Sequence, residues 1–198
     1  MALKDVLIDD LRDMYSAENQ LVKALPKLAK GAKDATLKAL FTTHLAETKG
    51  QVERLKQIFE ELGKKPTGQH CNGMEGVIEE GADALEKDEK GASFDAGIVG
   101  AALRTEHYEM AGYKACISMA STLGMSNIVT LLTANLNEEI AAAEKITKAA
   151  QPILMRSAQE AEEEEKAPKS SKEKTSARKS REDEAAAAPS LKKKSAAR

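Results

Sequence analysis

The chain of 198 residues contains no tryptophan and only three phenylalanines and three tyrosines. Aromatic and β-branched residues favour strands, whereas Ala, Leu, Glu and Lys, which dominate this sequence, favour helices. The composition therefore argues against a protein built on β-sheets. Prolines are also few, and four of the five lie outside the segments with helical periodicity. The exception is Pro26, which we expect to bend or loosen the last turns of the first helix.

Long apolar runs, a strong net charge and a cysteine framework are missing as well. No run approaches the length that crosses a bilayer, and the N-terminus, MALKDVLIDD, becomes acidic too early for a signal peptide. The net charge of −2 does not indicate nucleic acid or membrane as a partner of the folded part. Cys71 and Cys116 fit neither a disulfide framework nor a metal-binding motif. We therefore expect a cytoplasmic protein in a reducing compartment, without membrane contact.

Four long segments repeat apolar residues every three or four positions, which predicts four amphipathic helices. The first extends from about Leu3 to Gly31, and the second starts after Asp34, a predicted N-cap, and ends at Gly63. The third extends from about Ser93 to Leu123, and the fourth from Ser126 to about Leu154, with distortion expected at Pro152. A shorter helical pattern, formed by Met74, Val77, Ile78, Ala82 and Leu85, lies between the second and third helices.

The lengths of the connections predict how these helices are arranged. About three residues join the first helix to the second and the third to the fourth, so each pair must form an antiparallel hairpin. Roughly thirty residues separate the two hairpins, and they include the short helix. Two hairpins joined by one long crossover are the ferritin-like form of an all-α four-helix bundle. We assign residues 1–156 to this bundle and 157–198 to a disordered charged tail, because the tail almost lacks large apolar residues.

Several polar residues fall on the apolar stripes that should face the core of the bundle. They are Glu18 on the first helix, His44, Glu47 and Gln51 on the second, Glu106 and Glu109 on the third, and Asn135 and Glu139 on the fourth. Buried carboxylates repel one another and lose hydration, and no Lys or Arg lies on the inner stripes near the middle to compensate. Bound iron or manganese would supply the missing positive charge, since calcium is normally held in loops and zinc prefers more nitrogen or sulfur.

Simpler interpretations stay open at these positions. Each glutamate taken alone is compatible with an edge position from which the carboxylate reaches solvent. His44 fits a core histidine with a satisfied hydrogen bond as well as it fits a metal ligand. Glu138 and Glu144, which lie beside the fourth stripe, are assigned to the solvated face.

These residues occur in stretches that resemble the YciF-like bacterial stress proteins of the ferritin-like superfamily. The resemblance covers about residues 3–150 and is carried by DMYSAENQL (13–21), HLAETKGQVERL (44–55), CNGMEGVIEEG (71–81), EHYEMAGY (106–113) and LNEEIAAAEKIT (136–147). In rubrerythrins, which are more distant relatives, the metal ligands fall on positions matched here by Glu18, Glu47, Glu106, Glu109 and Glu139. The two histidine positions of rubrerythrins fall on Gly50 and Ala142. The resemblance therefore implies a di-metal site poor in nitrogen, with His44 as a substitute from the other side.

Two hypotheses of function follow. In the first, the resemblance implies a stress protein that handles peroxide or oxidises iron, with no catalytic side chain assigned. It would hold two iron or manganese ions per chain through Glu18, Glu47, Glu106, Glu109, Glu139 and His44. In the second, it is a non-catalytic stress protein on a metal-poor helical scaffold, and its basic C-terminal tail contacts DNA or another partner. From Lys166 onward eleven Lys or Arg stand against four Asp or Glu, a composition that a solubilising tail also explains. The resemblance further implies a homodimer.

Overall fold

The computed structural model describes residues 2–67, 69–86 and 91–166. They form five helices: α1 (Leu3–Gly31), α2 (Ala35–Glu61), α3 (Asn72–Glu86), α4 (Ala92–Thr122) and α5 (Ser126–Lys166). No strand occurs within these three ranges, so the predicted all-α fold is confirmed. None of these five helices contains a stretch that is both long and apolar enough to cross a bilayer.

The ends of the long helices are set by local chemistry. The side chain of Asp34 caps α2 by accepting hydrogen bonds from the backbone N–H groups of Thr36 and Leu37, at 2.9 and 3.3 Å. Gly63 and Gly124 follow the C-terminal ends of α2 and α4 with φ angles of +62° and +70°. Only glycine adopts this left-handed conformation without steric cost, which explains why both helices stop there.

Contacts along the helices show that the bundle consists of antiparallel pairs. Between α2 and α5, Glu61 bonds to Asn127 at one end, while Asp34 pairs with Arg156 at the other. Between α1 and α4, Tyr113 bonds to Glu18, while the backbone N–H of Lys33 donates to Asp95 at 2.8 Å. These pairings, together with the α1–α2 and α4–α5 hairpins, give the ferritin-like arrangement expected from the connection lengths.

The core of the bundle is divided into two apolar clusters. The Phe41 cluster contains Leu21, Leu25, Leu37, Phe41, Phe94, Ile98, Ile146 and Ile153. The Phe59 cluster contains Leu7, Leu11, Leu55, Ile58, Phe59, Ile128 and Leu132. On each of the four long helices, the residues that separate the two clusters are polar and buried, beginning with Glu18 on α1. The fold thus places a polar layer across the middle of an otherwise apolar core.

The crossover helix α3 packs against α1 and α4. Its first turn is anchored at Cys71, whose backbone N–H donates to Ser16 Oγ and whose carbonyl accepts from Gln20 Nε2, both at 3.0 Å. Met74 follows one turn later and is fully buried. The short helix predicted from the spacing of Met74, Val77, Ile78, Ala82 and Leu85 is therefore present.

The last helix is longer than its apolar pattern indicated. It continues through Pro152 to Lys166 instead of ending near Leu154, so residues 157–166 are helical, although we assigned them to a disordered tail. Ser157 Oγ lies 2.7 Å from Ser93 Oγ, and Glu160 accepts a hydrogen bond at 2.8 Å from the N–H of Ala92, which starts α4. These contacts and the strong helix propensity of Ala, Gln and Glu extend the helix without a large apolar face. Residues 167–198, on which the prediction of a basic binding tail depends, lie outside the described part.

Candidate metal centre

The polar layer between the two apolar clusters contains seven acidic, amide or imidazole side chains that are at most 5% exposed. They are Glu18, His44, Gln51, Glu106, Glu109, Asn135 and Glu139. All seven were expected to face inward from their positions on the helical stripes. Glu106 and Glu109 are one turn apart on α4, so both carboxylates project from the same face of that helix.

Four of these side chains converge. His44, Glu106, Glu109 and Glu139 each offer one ligand atom, and these four atoms lie within 4.8 Å of one another. The Nε2 atom of His44 is 3.4 Å from Glu106 Oε2 and 3.5 Å from Glu139 Oε2. One imidazole and three carboxylates from three different helices therefore surround a common point.

Glu18 lies beside this group and is fully buried. One of its oxygens accepts a hydrogen bond from the hydroxyl of Tyr113, which in turn accepts one from Asn135 Nδ2 at 2.9 Å. Its other oxygen, Oε2, has no hydrogen-bond partner in the described part. Glu18 is not one of the four groups whose ligand atoms lie within 4.8 Å of one another. Burial has the largest effect in raising its pKa, and the nearby charge of Glu139 raises it further.

Glu47 occupies a different place from the other predicted ligands. It is 26% exposed, and its Oε2 lies 3.2 Å from His44 Nδ1, on the side of the ring away from Glu106 and Glu139. Its Oε1 lies 3.3 Å from the ammonium group of Lys145. In metal sites a carboxylate at one ring nitrogen of a histidine commonly directs the other nitrogen toward the ion, and here Nε2 faces Glu106 and Glu139. Glu47 thus orients His44 from behind and does not belong to the converging group.

Arg54 was missed by the sequence analysis, which placed no Arg on the inner stripes near the middle. Its guanidinium group donates to Asn135 and to Glu138, and the amide of Gln51 donates to Glu138 and Glu139. Arg54 lies three residues after Gln51, at the edge of the stripe, and its long side chain reaches inward from there. Glu138, which we assigned to the solvated face, is consequently only partly exposed.

The electrostatics of the centre favour protons or cations. Burial raises the pKa of Glu18, Glu106 and Glu109 well above the ordinary value, and the negative charge of Glu139 raises all three further. Burial likewise raises the pKa of Tyr113, to which the charges of Glu18 and Glu109 add, so this hydroxyl keeps its proton. Carboxylates in such a site either take up protons or share a positive ion.

The donor atoms present fit a metal site. In the described part, six buried carboxylate or imidazole atoms have no hydrogen-bond partner: Glu18 Oε2, His44 Nε2, Glu106 Oε2, both carboxylate oxygens of Glu109, and Glu139 Oε2. Unsatisfied buried polar atoms cost about 1–3 kcal/mol each, so six at one place require an explanation. Four carboxylates with one imidazole form the donor set that suits iron or manganese.

Comparison with known proteins shows similarity over most of the chain. The family model described as a domain of unknown function, DUF892, matches residues 2–160. Protein YciF of Escherichia coli strain K12 is 42% identical over 149 residues, which are 75% of this chain and 90% of that protein.

Solved structures show the same architecture. The crystal structure of the E. coli stress protein YciF has a TM-score of 0.77 and 39% identity, and the match covers 79% of this chain and 99% of that one. YcfI from Rhodopseudomonas palustris, which is described as a structural protein, has a TM-score of 0.71 and 44% identity, with 74% and 94% covered. A ferritin-like diiron-carboxylate protein from Bacillus anthracis has a TM-score of 0.59 at 16% identity, with 76% and 100% covered, and this likeness shows the fold alone.

Proposed function

The chain belongs to the DUF892 family and is related to the E. coli stress protein YciF, and we propose that it is a metal-binding stress protein with iron or manganese in its buried carboxylate centre. The observation that carries this proposal is the convergence of His44, Glu106, Glu109 and Glu139 from three helices. With Glu18 beside them, these residues present six buried ligand atoms that have no hydrogen-bond partner in the described part. Ionised carboxylates only accept hydrogen bonds and cannot satisfy one another, and a bound cation would satisfy these atoms without protonating them.

Different residues of the chain would bind the ions, orient a ligand and exclude water at this centre. Glu18, Glu106, Glu109 and Glu139 would hold about two ions together with His44 Nε2, as carboxylate-bridged pairs require. Glu47 would keep His44 in the tautomer that binds metal. The two apolar clusters exclude bulk water above and below the layer. When bound, iron supplies exchange between its ferrous and ferric states, the chemistry by which peroxide is reduced or ferrous iron is oxidised.

Metal content tests the proposal directly. Protein purified without chelator, and protein loaded anaerobically with ferrous or manganous ion, is analysed by elemental mass spectrometry. We expect about two ions per chain in the native protein. The double variant Glu109→Gln, Glu139→Gln keeps the side-chain volumes and removes two ligands, so it should retain none. Glu144→Gln, on the exposed face of α5, is the matched control and should bind as the native chain does.

Two results would contradict the proposal. One is native protein that takes up no metal even after anaerobic loading, which would favour the non-catalytic alternative and turn attention to the basic residues beyond Lys166. The other is a double variant that binds as much metal as the native chain, which would place the ions elsewhere. Consumption of peroxide by loaded native protein, but not by the double variant, would extend metal binding to activity.

A further inference from the structure

A small cavity lies directly outside the candidate metal centre, between α2 and α5. Its volume is about 20 Å³, and His44, Glu47, Ala142 and Lys145 are among the residues that line it. A cavity of this size holds about one water molecule. It is therefore large enough for a small ion that has lost its attached waters, and it touches His44, a residue of the centre itself.

The polar groups around this cavity form a continuous series from solvent to the centre. Lys145 is 45% exposed, and its ammonium group lies 3.3 Å from Glu47 Oε1. Glu47 Oε2 lies 3.2 Å from His44 Nδ1, and His44 Nε2 faces Glu106 and Glu139. Glu47 is the most exposed of the six residues predicted to bind metal. An ion approaching along α2 and α5 would meet Glu47 first.

The side of the centre lined by Gln51 is closed more firmly. There the guanidinium group of Arg54 bonds to both Asn135 and Glu138, and Gln51 bonds to Glu138 as well. Lys145, in contrast, pairs across the helices with Glu47, and because its side chain is 45% exposed, solvent weakens this ion pair. Its ammonium group occupies the place next to Glu47 that an incoming cation would take.

From this geometry we infer that divalent cations reach the centre through the gap between α2 and α5, with Glu47 as their first binding group and Lys145 as a displaceable cover. The inference rests on the proposed metal centre. A carboxylate at the mouth raises the local concentration of cations and hence their association rate, whereas a fixed ammonium group lowers both. Glu47 and Lys145 therefore set the rate of uptake and leave the number of bound ions unchanged.

The test measures the rate of uptake separately from the amount bound. Metal-free protein is mixed with manganous ion, uptake is stopped by chelator at successive times, and retained manganese is measured by elemental mass spectrometry. We expect Glu47→Gln, whose amide oxygen can still accept a hydrogen bond from His44 Nδ1, to slow uptake about tenfold and to reach the native final content. Lys145→Met, which keeps the apolar stem, should speed uptake at low ionic strength, and the gain should fade as salt screens the charges. Glu53→Gln on α2 and Lys148→Met on α5, both at exposed positions, are the matched controls and should take up manganese at the native rate.

A second variant tests the path without changing any charge. Ala142→Val narrows the cavity and should also slow uptake at unchanged final content. A native rate in Glu47→Gln or in Ala142→Val would overturn the inferred path. Loss of bound manganese at equilibrium in Glu47→Gln would overturn it too, since Glu47 would then act on the bound ion, directly or through His44, and not only on its entry. If the native chain binds no manganese at all, the proposed centre fails, and this path fails with it.

Discussion

Tyr113 lies where the candidate metal centre meets the Phe59 cluster, and its hydroxyl group both donates and accepts a hydrogen bond. It donates to Glu18 and accepts from Asn135 Nδ2, while the side chain has no exposed surface. Because burial and the nearby charges of Glu18 and Glu109 raise its pKa, the hydroxyl stays protonated and acts as a donor. Tyr113 therefore holds Glu18 in position.

Replacing Tyr113 by Phe tests this role. The variant loses the donor to Glu18 and leaves Asn135 with one partner fewer. We expect metal to bind about tenfold more weakly with the same number of ions per chain, as for other groups that orient a ligand. The metal-free protein should lose about 1–2 kcal/mol of unfolding free energy. Competition with a chelator measures the affinity, and urea denaturation measures the stability.

Tyr15→Phe is the control for this substitution. Tyr15 packs edge-on against Phe59 at 6.3 Å between ring centroids. It lies against the Phe59 cluster, as Tyr113 does, but its hydroxyl makes no hydrogen bond to a carboxylate of the centre in the described part. Its variant should bind metal as the native chain does. Equal affinities for all three proteins would show that Tyr113 only fills space.

The sequence predicted which residues of the candidate site are buried, but not which of them meet at the centre. The helical stripes identified every buried carboxylate of the polar layer, because an acidic residue between apolar positions at helical spacing must face inward. They did not distinguish His44 from Glu47. Both lie on the inner side of α2 one turn apart, and the rotation of the helix and the side-chain rotamers decide which of them reaches the centre. The stripes did not predict that Arg54 contacts the polar layer, because its long side chain reaches the layer from the edge of the stripe.

At the scale of helices, the docking of α3 depends on close approach at one glycine. A Cβ atom at Gly73 would come within 2.7 Å of Tyr108 Cε2 and 2.8 Å of Tyr108 Cζ. The hydroxyl of Tyr108 lies 3.0 Å from the Cys71 sulfur and 3.4 Å from Asp13 Oδ2, which restricts the movement of the ring. At Gly76, in the same helix, a Cβ atom would meet nothing within 4 Å.

The two glycines predict opposite effects of the same substitution. Gly76→Ala should stabilise the protein by about 0.5–1 kcal/mol, because alanine favours the helix and fits without contact. Gly73→Ala should destabilise it by about 1–3 kcal/mol, since the added methyl group displaces the Tyr108 ring. Urea denaturation of the two variants measures both values. A stabilised Gly73→Ala would mean that α3 is held without close contact to α4.

The helices themselves were largely predictable, and α5 shows where prediction from a pattern ends. Asp34, Gly63 and Gly124 gave correct ends because capping and left-handed backbone are local chemistry. The end of α5 depends instead on helix propensity and on the contacts of Ser157 and Glu160 with the start of α4. Those contacts join residues that are far apart in sequence, so they could not be predicted from the spacing of apolar residues along α5.

For the molecule as a whole, burial of the polar layer lowers the free energy of unfolding, and burial of the two apolar clusters raises it. Each fully buried Leu, Ile or Phe contributes about 1.5–3 kcal/mol, and both clusters contain several. The layer between them gathers carboxylates whose ionised forms are disfavoured by burial and by one another. The metal-free protein should therefore be stable overall but sensitive to pH.

The sign of this sensitivity follows from the direction of the pKa shifts. Glu18, Glu106 and Glu109 have pKa values above the ordinary 4.5 when folded. Above that pH the folded protein holds more protons than the unfolded chain, so its unfolding free energy falls as pH rises. Asp34 and Glu47 differ: burial acts to raise their pKa values, but hydrogen bonds and positive neighbours outweigh it and lower them. Their contribution is lost only in acid, as pH falls through their folded pKa values.

We therefore predict that metal-free protein, kept in chelator, is more stable to urea at about pH 5.5 than at about pH 8. Glu109→Gln removes one of the shifted carboxyl groups and should flatten this dependence, whereas Glu144→Gln should follow the native chain. Metal should act in the opposite direction, because ligands must lose their protons to bind it and binding strengthens as pH rises. The stabilisation by manganese should thus be largest near the alkaline end of the range. A metal-free protein that gains stability between these two pH values would show that the carboxylates are ionised without cost, and that the centre does not need a cation.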